Sequence, residues 1–121
     1  MPVGNPSTAP SPPAREPLDL SALDRLLTRI KAAYKPEQIW LFGSRARRTA
    51  HADSDWDLLV VVPDETDEEA LDPVYAWRLQ KGSGVYADVI PCLARDFHES
   101  RDVVNNLCYV ATHEGFRLDG R

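Results

Sequence analysis

The chain has 121 residues, a net charge of −5, 43% hydrophobic and 27% charged residues, all within the range of a single soluble globular domain. No apolar run reaches the roughly 20 residues that a membrane-spanning helix needs, and the acidic balance disfavours general nucleic-acid binding. Two cysteines, Cys92 and Cys108, make no disulfide scaffold and fit no zinc spacing, so the expected localisation is cytoplasmic.

Residues 1–17 hold six of the ten prolines and almost no large apolar side chains. Such a segment buries too little surface to offset its chain entropy, so it reads as a disordered tail with no secretory features. Residues 18–121 are left as the folding domain. Leu20, Leu23, Leu27, Ile30 and Tyr34 recur at helical spacing, with Ser21 and Asp24 as a capping box or Asp19 as the cap, and Pro36 as the stop. Ile39–Phe42 reads as a buried strand broken by Gly43-Ser44, and residues 45–50 as a short helix or turn. Trp56–Val62 is a second strand.

The stretch 64–72 carries six acids and no base, more negative charge than the whole chain nets, so the excess is local. It opens a helical region with Leu71, Val74, Tyr75 and Leu79 on one side and Pro73 as a break or late start. Residues 81–84 form a loop and Val85–Cys92 a third strand. Residues 95–114 read as mostly helical, with Val103, Val104, Leu107 and Val110 in the core and Gly115 as cap. Phe116–Leu118 could be a last short strand. Alternating helices and strands imply an α/β layer fold, a small mixed sheet with helices packed on it.

Three carboxylates fall where apolar residues belong. Asp55 and Asp57 flank Trp56 at the entrance to a hydrophobic strand, and residues two apart on a strand share a face. Asp88 interrupts the third strand. Like charges brought together need a proton or a cation, and hard oxygen ligands suit magnesium or manganese, which also bind phosphates. Two such ions about 4 Å apart would serve phosphoryl or nucleotidyl transfer. Gly43 and Ser44 follow a strand where backbone N–H groups can meet an anion. Arg45, Arg47 and Arg48 crowd the same turn, with guanidinium forks suited to phosphate.

The run LFGSRARRTAHADSDWDLLVVV closely resembles the signature of the nucleotidyltransferase superfamily of the DNA polymerase β type. Ten residues separate Ser44 from Asp55. The contexts SRAR and DSDWDLLV resemble the minimal nucleotidyltransferases, over roughly residues 20–118. The resemblance implies that Asp55 and Asp57 ligate both metals. It implies that Asp88 holds the nucleophile-side metal and helps remove the hydroxyl proton, and that Gly43 and Ser44 grip the outer phosphates of a nucleoside triphosphate. Arg45 and Arg47 join the candidate nucleotide contacts. Arg48 stands where many relatives have glycine. The resemblance does not extend to the extra helical domain that holds an acceptor in larger members.

Two functions follow as expectations. One is metal-dependent transfer of a nucleoside monophosphate, AMP from ATP, to an acceptor hydroxyl, with magnesium (or manganese) as cofactor. The family then implies an antitoxin that modifies a tyrosine of a HEPN-type toxin. The other is a binding module that neutralises or scaffolds a partner with little turnover. An EF-hand reading of Asp53, Asp55 and Asp57 fails because Leu58 stands where that loop needs glycine. His51, His98 and His113 are scattered and read as surface residues. Trp40, Trp56 and Trp77 read as core or near-core packing, Trp56 beneath the site, and the cysteines as small apolar residues.

Overall fold

The computed structural model describes residues 20–47 and 55–118. The proline-rich tail, the Asp19 cap, Arg48, His51 and Asp53 lie outside the described residues.

Nine elements are laid out in chain order: α1 (Asp24–Tyr34), β1 (Gln38–Phe42), α2 (Gly43–Arg47), β2 (Trp56–Val62), α3 (Pro73–Gln80), β3 (Ala87–Leu93), α4 (Ala94–Ser100), α5 (Leu107–Glu114) and β4 (Phe116–Arg117), with 3-10 turns at Ser21–Leu23 and Glu68–Leu71. The strands form one mixed sheet in the order β3-β2-β1-β4. β1 runs antiparallel to β2 and to β4, while β3 lies parallel to β2. Among the described residues no helix is long and apolar enough to cross a membrane.

The unbroken apolar run of β2 follows from burial on both faces. Leu58, Val60 and Val62 join Ile39 and Leu41 against Leu26, Ile30 and Tyr34 of α1. Leu59 and Val61 point the other way, with Phe42, and meet Phe97 of α4 and Cys108 and Ala111 of α5. α1 therefore covers one face of the sheet and α4 and α5 the other, and the apolar residues of β2 are buried on both sides.

Several local expectations change. A 3-10 turn at Ser21–Leu23 leads into α1, so the N-cap position falls on Leu23, which makes no side-chain cap bond, and Asp24 is the first helical residue. The end of α1 is set by Lys35 at φ 49°, a left-handed cap placed just before Pro36. In α3 the proline marks a late start: Asp72 caps the helix by accepting the Val74 N–H at 2.7 Å. Its buried positions are Ala76 and Gln80, whereas Val74 and Tyr75 are exposed.

The helical region 95–114 is two helices. Asn105 takes φ 72° and Asn106 caps α5 by accepting the Cys108 N–H at 2.8 Å. Short Asn side chains suit both roles, so the pair breaks the helix. Val103 and Val104, on the intervening turn, are exposed, the latter at 64%. Phe97, Cys108 and Ala111 supply the core contacts instead of Val103, Val104 and Leu107. Gly115 is required by space: a Cβ there would collide with the carbonyl oxygens of Leu41 and Ala111.

Candidate active site

The three carboxylates meet at one end of the sheet. Asp57 is the Cα partner of Asp88 across the parallel β2–β3 pair, and of Phe42 across the antiparallel β1–β2 pair. Adjacent strands lie about 4.8 Å apart, and register partners project to the same face. Asp55 immediately precedes β2, two residues before Asp57, on that face. Trp56 between them turns into the core on the opposite face.

Gly43 brings the bend against this group. It takes φ 76°, and a Cβ at that position would collide with Oδ2 of Asp57. The chain at the Gly43-Ser44 turn therefore runs directly beside the central carboxylate. A left-handed torsion and a close backbone approach both require glycine here.

The electrostatics agree with the geometry. The Asp57 carboxyl is pushed above its ordinary value, first by burial, then by the negative charges of Asp88 and Asp55, while Arg47 pulls it the other way. Asp57 is half-buried and Asp55 and Asp88 are exposed. This alters the expected picture of Asp88 as an acid in mid-strand: it is the second residue of β3, an edge strand, where solvent reaches it.

The two arginines diverge. The Arg45 guanidinium stacks 4.5 Å from the centroid of Trp56, on the core side of the strand. Arg47 is exposed and acts on Asp57. Ser44 is half-buried at the start of α2.

Among the described residues no three His, Cys, Asp or Glu side chains gather into a ready cage for a metal. The donor set nevertheless fits a hard divalent cation: all oxygen, anionic, and placed by register on one face at one sheet end. A cation among its members offsets the repulsion between such like charges.

Beside Asp88 a cleft of about 310 Å³ runs along the outer edge of β3, walled by Leu71, Pro73 and Trp77. Trp77 is 53% exposed, not core as its sequence setting suggested. Spacing gave no sign of this, because α3 is short and buries only two of its residues. His98 and His113 are exposed, on α4 and α5. Cys92 and Cys108 pack with their sulfurs 3.9 Å apart.

The model of the nucleotidyltransferase domain family matches residues 23–110, the greater part of the chain and all three carboxylates. Two solved structures share the fold. One is a toxin–antitoxin with AMP-PNP, at 22% identity and a TM-score of 0.56, covering 78% of this chain and 69% of that one. The other is a candidate nucleotidyltransferase from Sulfolobus solfataricus, at 21% identity and a TM-score of 0.53, covering 81% and 77%. No curated protein sequence matches the chain.

Proposed function

The chain belongs to the nucleotidyltransferase domain family, and on that premise we propose that it transfers a nucleoside monophosphate, AMP from ATP, to an acceptor hydroxyl and releases pyrophosphate. The observation that carries this reading is the register that sets Asp57 opposite Asp88 with the Gly43 bend against them. The similar fold solved with AMP-PNP supports ATP as the donor.

Each residue has a role in this reading. Asp88, exposed beside the cleft, accepts the proton of the acceptor hydroxyl. The acceptor oxygen forms its bond to the α-phosphorus, the bond to the bridging oxygen breaks, and the electron pair leaves with pyrophosphate. Gly43 and Ser44 hold the outer phosphates. Arg47, exposed at the end of the same turn, neutralises part of their charge. Arg45, stacked on Trp56, props the strand entrance and joins the phosphates only by leaving that ring. Asp55, Asp57 and Asp88 would hold magnesium or manganese, which supplies charge neutralisation at the transferring phosphate.

The toxin–antitoxin neighbour supports a partner protein as the acceptor, and the family resemblance adds that this partner is a helical HEPN-type toxin modified on a tyrosine. A second reading is a module that binds its partner with little turnover, and the exposure of Asp55 and Asp88 is compatible with it. Incubating the chain with α-labelled ATP, magnesium and its co-purifying partner separates the two. Label on the partner, lost in Asp57→Ala, supports transfer. No label from the wild type, with Asp57→Ala still holding the partner, supports the module.

A further inference from the structure

α3 is covered on one flank only. Tyr75 meets Tyr34 of α1 edge-on, with 5.7 Å between ring centroids, and Leu79 packs against the same core. Ala76 and Gln80 are buried. The opposite flank carries Val74, Trp77, Arg78 and Lys81, at the three- and four-residue steps of one helix face. Val74 and Trp77 are 54% and 53% exposed, and Tyr86, on the segment that follows, is 78% exposed. A contiguous apolar strip of this kind marks a contact surface. Clefts of about 310 and 410 Å³ adjoin Trp77, one toward Pro73 and Pro91 and the other toward Gly84 and Tyr86.

The charges along the strip are ordered. Asp72 caps the N-terminal end of α3, just after the exposed acids Glu68 and Glu69. Arg78 and Lys81 stand at the other end, with the Lys81 ammonium 5.5 Å over the Trp77 ring. Trp77 falls near the midpoint between Asp72 and Lys81 in the chain. A uniformly basic partner surface would be repelled by Arg78 and Lys81, and a uniformly acidic one by Asp72 and its neighbours. The same strip turned end for end meets each end with the opposite charge, which is the self-complementarity of an isologous pair.

Strand addition fits this side of the molecule less well. β3 is an edge of the sheet. The Trp56 N–H donates to the Tyr86 carbonyl at 3.0 Å, so the main chain at Ala87, Val89 and Pro91 turns away from β2. The Ala87 N–H reaches Oε1 of Gln80 at 3.4 Å, and Pro91 has no N–H. Two of the three outward positions therefore offer an added strand no free donor.

We propose that this face pairs two copies of the chain about a twofold axis near Trp77. The two α3 helices run antiparallel, Val74 and Trp77 of both copies form the apolar centre, and each Asp72 faces the Lys81 of the other copy. The Tyr86 ring of each copy covers the cleft beside Pro73 of the other. α3 packs on the sheet face that carries Trp56, opposite the face of Asp57, so pairing leaves the carboxylates open. The pairing does not depend on the transfer reading.

Sedimentation velocity on the full chain, from about 5 to about 500 µM, brackets the micromolar pairing expected of so small a face. The expected result is a reversible monomer–dimer equilibrium. Trp77→Ser should weaken it at least about tenfold, as truncation of a central aromatic anchor does. Lys81→Glu and Asp72→Lys should each be monomeric, and an equimolar mixture of the two should pair again, because every end contact then joins opposite charges. Asp72→Ser keeps a capping oxygen without the charge. It should weaken pairing with the far-UV circular dichroism of the wild type, which separates lost charge from a lost helix cap. A wild type that stays monomeric through the range overturns the proposal, as does a dimer that Trp77→Ser and Lys81→Glu leave intact. A dimer that both variants break but the mixture does not restore overturns the antiparallel arrangement. A chain that is monomeric alone, yet shifts its Trp77 emission on adding the co-purifying partner, gives the face to that partner and overturns self-pairing.

Discussion

Asp57 and Asp88 are Cα partners in the parallel β2–β3 register. Two carboxylates separated by 30 positions in the chain therefore share one face at one sheet end, with Asp55 beside them. The arrangement costs stability: Asp57 is half-buried beside like charges, and its carboxyl is raised for both reasons.

That cost gives a signed prediction. A carboxyl raised in the folded state adds stability below its ordinary value, and that contribution is lost as pH climbs through the raised value. At neutral pH the ionised Asp57 therefore weighs against folding. Asp57→Asn should hold or raise the thermal midpoint at pH 7 while abolishing transfer. A midpoint lowered by several degrees would mean that the carboxylate is structural.

Gly43→Ala should act on fold and site together. The left-handed torsion costs an L-residue about 1–2 kcal/mol, and the added methyl displaces Asp57. Denaturant unfolding should show at least that loss, with transfer reduced far more than stability. Full activity in the variant would show that the bend can move without consequence.

Tyr34 ties α1 to the segment before α3 through its hydroxyl, which donates to the Ala70 carbonyl at 2.7 Å. Burial, then the neighbouring Tyr75, push its ionisation from 10.0 to about 12. Tyr34→Phe should cost about 1 kcal/mol at neutral pH. The neutral phenol is favoured in the fold, so its stabilisation is complete below pH 10 and is lost toward pH 12. Urea midpoints against pH should fall less steeply in this window for Tyr34→Phe than for the wild type.

Much of this is legible in the sequence because it is local. The β2 strand matches its apolar run from Trp56 to Val62, and Asp55-x-Asp57 at its mouth needed only the period of two. The Asp57–Asp88 register is not local: no spacing in the chain specifies it, and the family pattern implies only that the three acids share one site. The misread parts have physical causes. Val103 and Val104 kept a helical period, yet the neighbouring Asn105-Asn106 offered the backbone better local bonds than the helix did. Trp77 reads as core or near-core in the sequence, but its position on a short helix beside an edge strand leaves it exposed.

The cysteines give a prediction independent of the site. Burial, then the facing Cys108 sulfur, push the Cys92 thiol from 9.0 to about 12. The thiolate is the reactive form, so iodoacetamide at pH 8 should label Cys92 slowly in the native chain and rapidly in urea. Fast native labelling would show that the α5–β3 packing opens readily.

The most direct measurement is paramagnetic broadening of amide resonances as manganese is added to the nucleotide-free chain. The expected result is early loss of the signals from residues 43, 55, 57 and 88, and their retention in Asp57→Asn. Broadening centred instead on the acidic stretch 64–72, and unaltered by that substitution, would contradict the assignment of Asp55, Asp57 and Asp88 as one cation site.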